Sequence, residues 1–309
     1  MGVSTGTLLV SDKTALERIF TETAGLIAVH AEDEDRMNER RKLVEGRTDI
    51  AAHAYYRDDI TALLATKLAV NLAHKTGHRL HILHLTSGIE ADFLTDHCNL
   101  PSKTEGHPII TTEVLPQHLT FDETDVDEQG VRLQMNPPIR YKADREILWN
   151  RLVDGTIQCI ATDHAPHTLE AKSKGFPHAP SGMPGVETSL AVMLNYVNQG
   201  KCSIEDVVRW MSSNVADCYR MIGKGKLEEG YDGDIVLVDM NHSAIVEDEN
   251  SWTRVGWNPF RGRELTGWPV LTVVDGIPVF ERSPGTGQKG RLLVEPGSVG
   301  KPLLMEPWK

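Results

Sequence analysis

The sequence predicts an α/β fold: an incomplete TIM-type (β/α) barrel over residues 1–222, followed by a small β-domain and a loosely packed tail over residues 223–309. Three observations predict it. Amphipathic helical stretches alternate with short, continuously apolar runs, as parallel strands covered by helices require. Histidines and carboxylates stand at or near the ends of those runs, where a (β/α) barrel places its reactive side chains. After Met221 the text turns to Gly-rich, strand-like sequence.

In the first unit, Ser11 can cap a helix that carries Leu16, Ile19 and Phe20 on one face, and Gly25 can end it. The run 26–30 then reads as a buried strand ending at His30. The second unit has Ile60, Leu63, Leu64, Leu68 and Leu72 at helical spacing, Gly77 as the stop, and a strand from Leu80 to Leu85. Two-residue alternation puts Leu80, Ile82 and His84 on one face, and so sends His81 toward the helical layer. A third run, 109–114, carries Glu113. A fourth, 157–162, follows the helix around Ile147, Leu148 and Leu152 and leads to Asp163.

A closed barrel of this type needs about eight such units, and the chain supplies about four. Half a barrel leaves open sheet edges. Helical stretches follow over 186–197 and 204–221. Strands are then expected at 235–238, 270–274 and 277–280, the last two joined by the turn pair Asp275-Gly276. Trp257, Phe260 and Trp268 are expected to pack inside this β-domain.

Composition narrows the function classes. The formal net charge of −12 repels nucleic acid and anionic membrane surfaces, so neither is an expected partner. No apolar run is long enough to span a bilayer, and the opening lacks a basic segment followed by an apolar stretch. The four cysteines show no C-x-x-C pairing, which suits a reducing, cytoplasmic location better than a disulfide framework or zinc knuckle.

Neutral imidazole and carboxylate are the usual ligands of catalytic zinc. His30, His84 and Asp163, each at a strand end, therefore form a candidate half-site. The run Ala161-Thr162-Asp163-His164-Ala165-Pro166-His167 is the most specific feature, an acid at a strand end followed by a Pro-stiffened loop and a second His.

The segments His30-Ala31-Glu32, His81 to Thr86, Glu113 to Leu119, Met135-Asn136-Pro137-Pro138-Ile139-Arg140, Asp163 to His167 and Ala179 to Thr188 resemble, in order and spacing, those of bacterial class I dihydroorotases. The resemblance runs on to Gly230-Tyr231-Asp232-Gly233-Asp234-Ile235. It implies an amidohydrolase barrel in which His30, His84 and Asp163 bind zinc and Asp163 is the catalytic proton shuttle. It also implies that Asn136, His167 and the backbone near Ser181 and Gly182 contact the substrate. Glu113 and His118 match the family pattern too, and are expected to brace the barrel mouth by hydrogen bonds. The implied reaction is the reversible hydrolysis of dihydroorotate to N-carbamoyl-aspartate in de novo pyrimidine biosynthesis.

The family's His-x-His motif, the substrate-binding Arg after it and the carboxylated Lys that bridges two metals in many members have no match here. The opening Met1 to Gly6 resembles the stretch just after that Lys. The resemblance thus implies an N-terminally truncated dihydroorotase that holds at most about one of the family's two zinc ions. Its expected partners are a second copy of itself, the missing N-terminal half or an aspartate transcarbamoylase. Another cyclic amidohydrolase, an allantoinase or hydantoinase, is the alternative within the reaction class, and a non-catalytic partner of the transcarbamoylase is the alternative outside it.

Overall fold

The computed structural model describes residues 10, 12–98, 108–282 and 289–307. Ser11, the opening hexapeptide and part of the expected tail lie outside them. By contacts the chain forms two units, residues 1–163 with 169–183 and 307–309, and residues 164–168 with 184–306. The helices of residues 189–219, placed before the expected division at 222/223, thus group with the β-rich unit.

The first unit is built on a parallel sheet in the order β1 (Ile27–Val29), β2 (Leu80–Leu85), β3 (Ile110–Val114), β4 (Cys159–Ile160). Ile27 pairs with Leu80, Ile82 with Thr112, and Glu113 with Cys159. Helices join each strand to the next, the connection a parallel pair requires. These are the four expected strands, with β4 shorter than the apolar run that predicted it. Leu80, Ile82, Ile110 and Val114 are fully buried, and each such side chain contributes about 1.5–3 kcal/mol.

The helix Lys13–Glu22 is capped by Asp12, whose side chain accepts from Ala15 N at 2.7 Å. The helix Asp59–Thr76 is capped by Asp58 and stopped by Gly77 at φ 71°. Its buried stripe follows the expected face only in part: Leu72 is inside with Ala62, Ala65, Ala69, Val70 and Ala73, but Leu64 is 42% exposed. Small side chains let a helix lie close to its neighbours, and Leu64 is the one leucine of the expected face left exposed.

The second unit carries an antiparallel sheet, β5 (Ile235–Ile245), β6 (Glu264–Val274), β7 (Ile277–Glu281) and β8 (Arg291–Leu292), in sequence order. Its strands overrun the expected ones. β6 begins six residues before the expected strand at 270–274 and passes through Gly267 and Pro269. At Gly267 a Cβ would stand 2.7 Å from Leu194 Cβ, so glycine permits the close pass over the helix Ser189–Asn198. Trp257 and Phe260 are buried and Trp268 nearly so, as expected. Among the described residues no helix is long and apolar enough to cross a membrane.

Candidate active site

The first cluster lies where β1 and β2 end. His30 follows β1, and its Nδ1 stands 2.9 Å from Nε2 of His84 in β2. Its other ring nitrogen, Nε2, is 2.8 Å from Glu32 Oε2. Glu32 is fully buried and forms an ion pair with Arg57, itself 3% exposed. Burial alone would raise the Glu32 pKa, but the Arg57 guanidinium and the His30 hydrogen bond outweigh it and hold the carboxyl at about 2. Burial, aided by the charges of His30 and His118, pushes His84 well below the usual imidazole range, so it is neutral and suited to metal ligation. Asp163 lies beyond the end of β4. Burial raises its pKa, with His30 opposing and Glu113 adding to the rise, so these side chains act on one another electrostatically.

His81 does not turn toward the helical layer as alternation predicts. Its ring bonds Thr111 Oγ1 at 2.8 Å and Glu113 Oε2 at 3.0 Å, and the other Glu113 oxygen accepts from His84 N at 3.3 Å. The reason is a break in the strand: His84 has φ 36°, and the β2–β3 register shifts between Ile82 and Leu85. Two-residue alternation no longer holds across such a break. Glu113 braces the site in this way. His118 contacts Pro137 O at 3.4 Å, a similar bracing role.

A second cluster joins the candidate substrate residues. Buried His53, on the helix Ala51–Tyr56, has Nε2 3.0 Å from Asn136 Oδ1 and 3.4 Å from Ser181 Oγ. Burial, with the charge of Arg57, lowers the His53 pKa to about 3. The neutral ring therefore donates from Nε2 to the amide oxygen and leaves the Asn136 NH2 to point elsewhere. Gly182 N donates to Gln134 O at 2.9 Å, and Nζ of buried Lys172 donates to Gln134 O at 2.8 Å and Pro180 O at 3.0 Å. Segments 134–136 and 179–182 are thus stitched together. Arg57 and Glu32 both act on His53, which makes the two clusters electrostatic neighbours.

His167 belongs to the second unit, where its carbonyl accepts from Trp257 Nε1 at 2.7 Å. His164, assigned neither metal nor substrate, has Nδ1 accepting from Gly185 N and Val186 N at 3.1 and 3.3 Å. Arg140 donates to Thr86 Oγ1 and the Arg57 carbonyl at 2.9 and 2.6 Å. Glu32, Arg57, His53 and Lys172 were not singled out from sequence. Only Glu32 left a signal there, two residues beyond a candidate ligand.

Among the described residues, no group of three or more His, Cys, Asp or Glu side chains stands in metal-holding geometry. The donor chemistry nevertheless fits a divalent cation at two atoms, since the imidazole nitrogens His30 Nδ1 and His84 Nε2 face one another at 2.9 Å. Asp163 is the carboxylate that acts on that pair.

Residues 15–279 match the model of the Amidohydrolase family. The chain is 34% identical over 281 residues to a dihydroorotase of Halobacterium salinarum, covering 90% of this chain and 62% of that protein. It is 32% identical over 302 residues to a dihydroorotase of Pyrococcus horikoshii, covering 97% and 64%. Among solved structures it resembles the L-hydantoinase (dihydropyrimidinase) of Arthrobacter aurescens, with a TM-score of 0.85, 29% identity and coverage of 96% and 65%. The dihydropyrimidinase of Brevibacillus agri gives a TM-score of 0.81 at 27% identity, covering 90% and 62%. The chain therefore spans a little under two-thirds of the length of these relatives. With its parallel sheet, its strand-end histidines and a family match over most of its length, the chain belongs to the amidohydrolase family.

Proposed function

We propose that the chain carries the hydrolytic core of a metal-dependent cyclic amidohydrolase whose substrate is dihydroorotate, opened reversibly to N-carbamoyl-aspartate. One observation carries the reading: His30 Nδ1 and His84 Nε2 face one another at 2.9 Å, within electrostatic reach of half-buried Asp163. His30, His84 and Asp163 would hold the cation, zinc in this reading. The bound cation supplies a Lewis acid that polarises an amide carbonyl and acidifies water.

The protein's own residues handle the proton. Water adds its oxygen to the ring carbonyl carbon, and Asp163 takes the proton that water gives up. The ring C–N bond then breaks as Asp163 returns that proton to the departing nitrogen. A carboxyl whose pKa is raised by burial is better matched to this exchange than an ordinary surface aspartate. Asn136, with its amide oriented by His53, and the segment at Ser181 and Gly182 offer hydrogen bonds to a flat, polar ring and its carboxylate.

The dihydroorotase relatives favour dihydroorotate, and the hydantoinase-like structures favour hydantoins as the second reading. Zinc-loaded chain, alone and combined with the remaining third of a dihydroorotase relative, should be assayed with dihydroorotate, hydantoin and allantoin side by side. Preference for dihydroorotate is the expected result. Preference for hydantoin would overturn the substrate assignment and leave the reaction class standing.

A further inference from the structure

We propose that Glu32 is a positioning residue that locks His30 in the Nε2–H tautomer, so that Nδ1 presents its lone pair to a divalent cation shared with His84 Nε2, and that Arg57 locks Glu32. The proposal rests on the metal reading above and goes beyond it by assigning the residues that aim the ligand.

The argument starts from donor and acceptor counts. An ionised carboxylate can only accept hydrogen bonds, and Glu32 sits against the Arg57 guanidinium in a fully buried pair. His30 Nε2, 2.8 Å from Glu32 Oε2, must therefore carry the hydrogen. In a neutral ring this leaves Nδ1 unprotonated, and Nδ1 is the atom that faces His84. A carboxylate behind a ligating imidazole fixes both the tautomer and the ring plane, which is what a ligand set on two different strands needs.

Arg57 is itself held firmly. Its Nε donates to Tyr56 OH at 3.0 Å, its guanidinium lies over the Tyr56 ring at 5.4 Å, and its carbonyl accepts from Arg140 Nη1 at 2.6 Å. Arg140 in turn donates to Thr86 Oγ1, two residues after His84. The fastening therefore runs from one candidate ligand strand to the other behind the two imidazoles. A glutamate in this place needs no contact with substrate to affect how tightly the cation is held.

The test uses the whole chain and has two readouts. Long-range ¹⁵N–¹H NMR of the metal-free protein reports the His30 tautomer, with its signals assigned by His30→Gln. Titration with Co²⁺ alone reports affinity through the visible d–d bands. The parent should show the Nε2–H tautomer at His30. In Glu32→Gln, whose side-chain amide can also donate, the Nδ1–H form should become populated, and Co²⁺ affinity should fall by about 10–100-fold. The single variant leaves the Arg57 charge buried and uncompensated, so Glu32→Gln with Arg57→Met is the second variant, with the same outcome expected. If the parent binds Co²⁺ through His30 and His84 while both variants keep its tautomer and its affinity within about threefold, the proposal is overturned alone. If the parent shows no Co²⁺-dependent change at His30 and His84, the metal reading falls and the proposal falls with it.

Discussion

Replacing Glu90 by Gln should stabilise the protein at neutral and alkaline pH and destabilise it somewhat in acid. Glu90, on the helix Gly88–Leu94, is buried and accepts from Thr66 Oγ1. Burial raises its pKa from 4.5 to about 7, with the Thr66 bond and the Arg140 charge opposing only in part. A group whose folded pKa lies above its unfolded value costs nothing below the unfolded one, because both states then hold the proton. Between pH 4.5 and about 7 the unfolded chain loses the proton first, so stability falls as pH rises, and above pH 7 the full cost remains. A gap of roughly 2.5 units at about 1.4 kcal/mol each gives a ceiling near 3.5 kcal/mol. The new amide donors, buried without designed partners, take back on the order of 1–2 kcal/mol. A gain of about 1.5–2.5 kcal/mol at pH 8 should raise the melting midpoint by several degrees, and at pH 4 the variant should be about 1–2 kcal/mol less stable than the parent. Urea unfolding of parent and variant at both pH values is the assay. A variant no more stable than the parent at pH 8, or equally stabilised at both pH values, would refute the reasoning.

Other changes test the site more directly. Asp163→Asn in an active, zinc-loaded assembly should lower turnover by about a hundredfold or more at unchanged melting midpoint, since an amide cannot accept and return the proton; a rate within roughly tenfold of the parent would count against the assignment. The chain alone should retain at most about one zinc after dialysis, because three donors plus water complete a catalytic zinc shell, and elemental analysis finding two tightly held ions would contradict this. Lys172, whose pKa burial lowers from 10.5 to about 7, releases its proton in the fold while the unfolded chain still binds it. Its contribution to stability should therefore rise with pH from about 7 to 10.5, and that slope should be absent from the unfolding free energy of Lys172→Met.

What sequence made visible was what local rules control. The strand Leu80–Leu85 and the stop at Gly77 follow from apolar runs and a glycine, and both appear where expected. The hairpin at Asp275-Gly276 does too, with φ of 52° and 78°. His30 and His84 stand side by side for the same reason, since each ends or nearly ends a predicted strand. What stayed hidden depends on contacts distant in sequence. His53 meets Asn136 and Ser181 across 83 and 128 residues, and Glu32 meets Arg57 across 25. A buried charge is recognisable only once its partners are known, so the roles of Glu32 and Lys172 were not legible in the sequence. The assignment of His81 failed for another reason. Alternation is a rule for regular strands, and the backbone at His84 is not regular.

That irregularity bears on function. Among the described residues, the non-glycine positions with positive φ are His84, Asp163, Arg220 and Asp275, at 36°, 42°, 55° and 52°. Two have ordinary reasons: Arg220 caps the C-terminus of the helix Asn214–Tyr219, and Asp275 sits in the turn between β6 and β7. His84 lies within a strand and Asp163 just past one, where neither a helix cap nor a hairpin asks for such a backbone. Each such conformation costs on the order of 1–3 kcal/mol and persists only where the surroundings impose it. At His84 the surroundings include the Glu113 carboxylate on its amide and the facing His30 ring. The left-handed twist leaves His84 Nε2 against His30 Nδ1, while His81 remains joined to Glu113, whose charge acts on Asp163. The strain thus falls on two of the three residues assigned to the cation and on neither of the strands' apolar positions. A sheet selected for packing alone would have kept its alternation, so the departure from regular geometry supports placing the chemistry at these strand ends.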